Sequence, residues 1–301
     1  MIEPQNYIGY MAYKVLTSLF FCLPRPLCLA AGRLFGQLAF YLDRTHRAIV
    51  LTNLETAFGQ ERSKEERTAI ARRFFQHFGR LLADILKISH FSRDKVLRLV
   101  TTEGRLNLEE ALAQSKGVLV FTAHFGNWEL AAVPLSEIGP LRAVVRALDN
   151  PLLEKDLARL RMRLGCSIIY KFGAVRPILR ALGRDEIVAI LIDQNVLRSQ
   201  AVFIDFFGRR AATTPSLAAF HIKTGAPLVP IFVYPSRGGR YVLKILESFQ
   251  VASSGRPEED VLKITQICTK IIEREIRQRP ELWFWIHNRW KTRPVDEETT
   301  A

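Results

Sequence analysis

The stretch Val118-Leu119-Val120-Phe121-Thr122-Ala123-His124-Phe125-Gly126-Asn127-Trp128-Glu129-Leu130 decides how the rest of the chain is read. Its first five residues are apolar or β-branched, the pattern of a short strand buried on both faces. Gly126 supplies a turn, and residues 128–138 read as the helix that follows. A strand passing through a turn into a helix is one unit of a parallel sheet, and such sheets gather ligands at the carboxyl ends of their strands. His124 stands at such an end, and Glu129 lies in the first helical turn beyond it. The spacing lets the two side chains face each other.

Working outward, the same alternation repeats. Strands are expected over residues 141–146, 167–170, 186–192, 227–233 and 241–246. Helices are expected over residues 152–164, 176–182, 216–223 and 260–277. Upstream, residues 64–88 place Ile70, Phe74, Phe75, Phe78, Leu81, Leu82 and Ile85 on one stripe, as in a half-buried amphipathic helix. The fold class expected is α/β, with a mixed, mainly parallel sheet covered by helices on both faces.

The N-terminus departs from this pattern. Residues 7–23 are largely apolar with Lys14 the only charge, and after Pro24-Arg25-Pro26 a second apolar stretch over residues 27–42 is interrupted by Arg33. A spanning helix needs roughly 20 mostly apolar residues, and the two prolines break a continuous helix here. No basic segment precedes the apolar run and no small-residue cleavage site follows, so it does not read as a secretory signal. The expectation is a retained anchor over residues 1–45, either one tilted helix or two apolar helices lying partly in the membrane interface. The alternative is a helical hairpin capping a soluble core. Arg44, His46 and Arg47 just behind it favour a cytoplasmic anionic leaflet. A catalytic domain over residues 46–294 and a disordered tail over residues 295–301 complete the expected organisation.

In a chain of 301 residues, 48% hydrophobic, there is enough apolar material for a full core. A formal charge of +13 favours acidic partners: an anionic membrane face, phosphate or an acidic protein. The four cysteines are scattered, without Cys-x-x-Cys spacing, and read as reduced core or membrane residues. The histidines form no zinc-ligand spacing, and neither a phosphate-binding Gly-x-x-x-x-Gly-Lys nor a dinucleotide Gly-x-Gly-x-x-Gly is present. The absence of a Gly-x-Ser-x-Gly elbow argues against a covalent serine hydrolase. No metal and no cofactor are expected, and beyond the basic aromatic run over residues 283–293, which also resembles a nucleic-acid patch, nothing supports a nucleic-acid partner.

A histidine and an acid at a strand end suit general-base activation of a hydroxyl. Neutral imidazole takes the proton of an attacking alcohol, while a carboxylate fixes its tautomer and stabilises the imidazolium. A purely structural alternative has Asn127 as a helix cap, Glu129 as a favourable charge at a helix start and His124 as a bonded core residue. Arg146, following a strand, suits an oxyanion or a phosphate, or else a surface ion pair. Asp193, leaving another strand, suits either holding the acceptor or pairing with an arginine, and the pairing is favoured because a lone carboxylate repels an anionic substrate. Aromatics interleaved with Arg289, Lys291 and Arg293 suit an interface where indoles meet lipid headgroups.

These residues carry a resemblance. His124, four intervening residues and Glu129 resemble the His-x-x-x-x-acid motif of glycerolipid acyltransferases, within the lysophospholipid acyltransferase-like superfamily. The surrounding blocks resemble its lipid A late acyltransferase (lauroyl/myristoyl) branch. Those blocks are Arg146-Ala147-Leu148-Asp149-Asn150-Pro151, Ile190-Leu191-Ile192-Asp193-Gln194, Ala212-Thr213-Thr214-Pro215 with Pro227-Leu228-Val229-Pro230, and Trp283-Phe284-Trp285-Ile286-His287-Asn288-Arg289-Trp290-Lys291-Thr292-Arg293-Pro294. The resemblance implies transfer of a fatty acyl chain from an acyl carrier protein or coenzyme A thioester to a hydroxyl of a lipid A-type saccharolipid. It implies His124 as base and Glu129 as its orienting partner; Arg146, Asn150, Asp193, Arg289 and Arg293 are the candidate substrate-binding residues. The Pro-Glu-Gly of glycerol-phosphate acyltransferases is missing, which argues against glycerol phosphate as acceptor. Another glycolipid or phospholipid acceptor, or a non-catalytic lipid-binding protein of the same fold, stays open.

Overall fold

The computed structural model describes residues 3–298. The chain opens with α1 (Pro4–Cys22) and α2 (Arg25–Leu42), followed by α3 (Arg44–Phe58), α4 (Lys64–Ile88) and α5 (Arg93–Leu97). Next come β1 (Val100–Glu103), α6 (Arg105–Leu112), β2 (Val118–Thr122), α7 (Ala132–Ser136), β3 (Leu141–Val145), α8 (Pro151–Arg163), β4 (Cys166–Tyr170), α9 (Val175–Leu182) and β5 (Ile187–Leu191). A hairpin of β6 (Val202–Phe206) and β7 (Arg209–Thr213), α10 (Ser216–Thr224), β8 (Leu228–Pro235), β9 (Tyr241–Ile245), α11 (Pro257–Gln278) and a helical turn α12 (Val295–Glu298) complete it.

Seven strands form one sheet in the order β1-β9-β8-β2-β5-β3-β4, all neighbours parallel except β8 and β9. The α/β class and the mainly parallel sheet flanked by helices are thus those expected. β2 lies inside the sheet between β5 and β8, and every residue of it is buried. Its side chains alternate between two cores, Leu119 and Phe121 into one and Val118 and Val120 into the other. That two-sided burial is why its sequence is continuously apolar.

The N-terminal region is two helices, broken where Leu23 and Pro24 adopt extended backbone. Among the described residues no helix is long and apolar enough to cross a membrane. α2 packs antiparallel on α4 along a glycine seam. A Cβ at Gly32 would stand 2.5 Å from the Gly79 carbonyl oxygen, and one at Gly36 would stand 2.0 Å from that of Phe75. Only hydrogen at these positions permits such an approach, as in small-residue helix pairs generally. α1 is held by its C-terminus: the Lys87 ammonium, 9% exposed, donates to the carbonyls of Phe20, Phe21 and Leu23 at 3.0, 2.8 and 2.7 Å. A cation is favoured there because those carbonyls have no partner within the helix.

Three expectations change. Residues 128–138 are a 3-10 turn (Trp128–Ala131) followed by the short α7 rather than one helix. Residues 295–298, expected in a disordered tail, form α12, while 299–301 lie outside the described residues. Asn127 does not cap a helix with its side chain; its amide donates to Asp84 at 3.4 Å.

Candidate active site

The register of β2 and β5 builds the site. Thr122 pairs with Leu191 at the carboxyl ends of these parallel strands. Two residues further along each chain, His124 and Asp193 therefore arrive side by side. The imidazole Nδ1 donates to Asp193 Oδ1 at 2.8 Å, and the His124 backbone N–H donates to Oδ2 at 2.9 Å. The indole Nε1–H of Trp283 adds a third bond to Oδ2 at 2.8 Å. An ionised carboxylate only accepts, so this arrangement places the proton on Nδ1 and makes Nε2 an acceptor.

Burial alone would push the Asp193 carboxyl up. The adjoining His124 and the donated bonds outweigh it and hold the group below its ordinary 3.8. The side chain of Asp193 is 2% exposed and that of His124 22%, so the carboxylate is sealed while the ring reaches solvent. The Gln194 amide lies 3.4 Å from Nε2. Trp128 meets the ring edge-on at 5.0 Å between centroids, and Phe284 tilts against it at 6.0 Å.

The segment after α11 closes the site through one antiparallel bridge between Phe125 and Trp283. Phe284 N–H donates to the His124 carbonyl at 3.0 Å and Gly126 N–H to that of Leu282 at 2.9 Å. Gly126 has φ +60°, and a Cβ there would stand 1.6 Å from the Val233 carbonyl oxygen. Glycine is thus required both for the turn and for the closeness of β8.

Glu129 is bonded away from His124. Its carboxylate is forked by Arg161 of α8, with Nε to Oε2 at 3.1 Å and Nη2 to Oε1 at 2.5 Å. The histidine and the acid share a turn, but the 3-10 geometry after Asn127 hands Glu129 to α8 and leaves His124 to β5. Asp193, in turn, pairs with His124 and Trp283 rather than with an arginine. The carboxylate bonded to the His124 ring comes from 69 residues away, not from the local motif.

The remaining residues expected at the site fall elsewhere. Arg146 is 74% exposed and bonds Asp149, three residues on. Asn150 caps α8, accepting from Leu152 and Leu153, and donates to the Asn6 carbonyl at 2.9 Å. Arg289 is fully buried, bonded to the Ala212 carbonyl and the Thr213 hydroxyl and stacked over Phe206, so it ties the C-terminal segment to β7. Burial pushes its guanidinium down to about 10, still cationic at neutral pH. Arg293 donates to the Arg210 carbonyl at 2.8 Å and pairs with Glu297. His287, unassigned in the sequence reading, accepts from the Asn195 N–H at 2.7 Å, next in chain to Gln194. Its burial lowers the imidazole to about 4, so it is neutral.

A sheet-end imidazole with a sealed carboxylate on one nitrogen and an accepting lone pair on the other can take a proton from a bound hydroxyl. Comparison with known proteins gives this arrangement its class. The model of bacterial lipid A biosynthesis acyltransferases matches residues 2–292. The chain is 30% identical to the lipid A biosynthesis palmitoleoyltransferase of Escherichia coli (strain K12), over 99% of this chain and 95% of that protein. It is 27% identical to the lauroyltransferase of the same organism, over 98% and 94% respectively. A phosphatidylinositol mannoside acyltransferase of Mycolicibacterium smegmatis is 26% identical over 64% of this chain and 62% of its own length. The chain belongs to the bacterial lipid A biosynthesis acyltransferase family, and it is an acyltransferase.

Proposed function

We propose that the protein transfers a fatty acyl chain from an acyl thioester, carried on acyl carrier protein or coenzyme A, to a hydroxyl of a lipid A-type saccharolipid. The observation that carries the mechanism is the His124–Asp193 pair, which leaves Nε2 as an acceptor held only by the long contact to the Gln194 amide. The acceptor hydroxyl gives its proton to Nε2 as its oxygen bonds to the thioester carbonyl carbon. Asp193 stabilises the imidazolium that forms. Collapse of the tetrahedral intermediate breaks the C–S bond, and the imidazolium proton leaves with the thiol. The Gln194 amide, beside Nε2, is placed to donate to the oxyanion.

Glu129 and Arg161 act as a fixed ion pair that locks the 3-10 turn to α8 beside the site. Ile8, Met11, Val15, Leu19, Leu34, Phe35 and Leu38 leave an apolar face of α1 and α2 exposed. This supports both helices lying in the interface of the inner membrane, on its cytoplasmic side. The net charge of +13 favours the acidic carrier protein as donor.

A glycolipid acceptor of another kind is the second reading, favoured by the mycobacterial relative's name. Thiol release from both donor classes, with and without a phosphorylated saccharolipid or a mannosylated phosphoinositide, separates them. Release that depends on the saccharolipid and is lost in His124→Ala supports the first reading. Release indifferent to any acceptor overturns transfer in favour of thioester hydrolysis.

A further inference from the structure

Along the outer side of the α2–α4 pair runs a groove of about 580 Å³, bordered also by the Gly238-Gly239 turn. Its polar lining is laddered by the helix repeat. α2 contributes Arg25, Arg33 and Gln37, all in phase with Leu29 at a spacing of four, and α4 contributes Gln76 and Arg80, with the buried Asp84 one further step of four along the helix. Because the helices run antiparallel, the rungs match in pairs. Arg25 meets Asp84 at one end through two bonds of 2.7 and 2.8 Å, and Gln37 meets Gln76 at the other. The middle rung is Arg33 with Arg80, next in chain to the Gly32–Gly79 contact.

The two end rungs satisfy themselves. The Arg25–Asp84 rung is neutral, and Asp84 is further bonded to the Tyr241 hydroxyl at 2.6 Å. The middle rung holds two like charges, and neither Arg33 nor Arg80 has a hydrogen bond or ion pair among the described residues. Two like charges lining one groove cost stability unless an anion lies between them. The same groove carries Leu29 and Leu34, and Leu34, Phe35 and Leu38 continue it as exposed apolar surface.

We propose that Arg33 and Arg80 form a binding site for the phosphate of an anionic lipid headgroup, separate from the His124 site. The guanidiniums take the phosphate oxygens by paired N–H donors. The exposed leucines and phenylalanine of α2 take the start of the acyl chains. The site adds to the acyl-transfer reading without depending on it.

The test is partition of the full chain onto phosphatidylcholine vesicles with and without a minority of phosphatidylglycerol. Arg33→Gln with Arg80→Gln is expected to lose affinity for the anionic vesicles by about thirty-fold, the scale for two basic groups at a lipid surface. Partition onto neutral vesicles is expected to stay as in the native chain, and Arg33→Lys with Arg80→Lys to keep most of the anionic preference. Should the glutamine pair fail to fold, Arg33→Glu at its exposed position carries the same expectation. His124→Ala is expected to bind both vesicles normally, so failure of the catalytic reading leaves this result standing. Equal affinity of the glutamine pair and the native chain for anionic vesicles would overturn the proposal. Displacement of the chain from those vesicles by inorganic phosphate alone, at low millimolar concentration and constant ionic strength, would also overturn it and assign the arginines to a soluble anion.

Discussion

His124 and Asp193 stand at equal distances beyond the paired residues Thr122 and Leu191, so sheet register alone delivers the 2.8 Å bond between imidazole and carboxylate. Backbone hydrogen bonding of two parallel strands thereby sets the geometry of the imidazole–carboxylate pair.

If Asp193 fixes the tautomer, Asp193→Asn puts an amide where three donors converge and turns the imidazole's proton toward the substrate side. The rate of acceptor-dependent thiol release should fall ~10²–10⁴-fold, with little change in KM. A drop of less than a few-fold would assign Asp193 to structure alone.

Glu129→Gln makes the contrasting case. Because Glu129 bonds Arg161 rather than His124, its removal should weaken stability more than it alters the pH–rate profile. Arg161→Ala and Glu129→Ala each leave one member of a mostly buried pair uncompensated, a loss approaching about 3 kcal/mol in chemical denaturation. The double substitution should cost less than the sum of the two. Strict additivity would mean that the pair contributes no coupling.

Gly126→Ala places a methyl group against the Val233 carbonyl at a left-handed backbone position. Either β8 moves away from the turn or the turn unwinds. The expected result is a protein that is insoluble or has a Tm lowered by several degrees and no transfer activity. Normal melting and activity would show that the turn relaxes at no cost.

Acid should destabilise the fold through His287. Its folded-state value of about 4 lies below the ordinary 6.5, so the unfolded chain binds the proton more readily. This contribution to stability is complete above about pH 6.5 and is lost progressively as pH falls toward about 4. Denaturation midpoints of the native chain and of His287→Gln, followed from neutral pH to pH 4, should fall less steeply for the variant. Parallel slopes would remove His287 from the acid response.

How far the sequence carried these conclusions differs from element to element. The apolar stripe over residues 64–88 coincides with α4, because a long amphipathic helix writes its period into every turn and Ser63 and Glu66 box its start. The buried strands β2, β5 and β8 were legible as apolar runs. β6 and β7 were not, since Asp205, Arg209 and Arg210 interrupt the alternation and the Phe207-Gly208 turn lacks the usual Asn-Gly signal. β1, α3, α5 and α6 also carried no signal strong enough to be read. His124 was legible because a polar residue ending an apolar strand is conspicuous. Its partner was not, because choosing between Glu129 and Asp193 requires knowing that β5 lies beside β2 and in which register. Arg289 looked like a ligand-binding cation in a basic aromatic run, yet it is a buried brace, a distinction that rests on tertiary packing.

The Lys87 ammonium, bonded to three carbonyls at the end of α1, ties the first helix to the catalytic body as a keystone ties an arch. Removing the first 23 residues to obtain a more soluble enzyme would therefore do more than shed an apolar segment. It would bare a lysine whose ligands have gone and uncover the neighbouring apolar contacts of Phe20 and Cys28 with Ala83. The N-terminus is thus a working part of the enzyme's architecture rather than a detachable tether, and solubility is better sought by substituting the outward residues of α1 than by cutting it away.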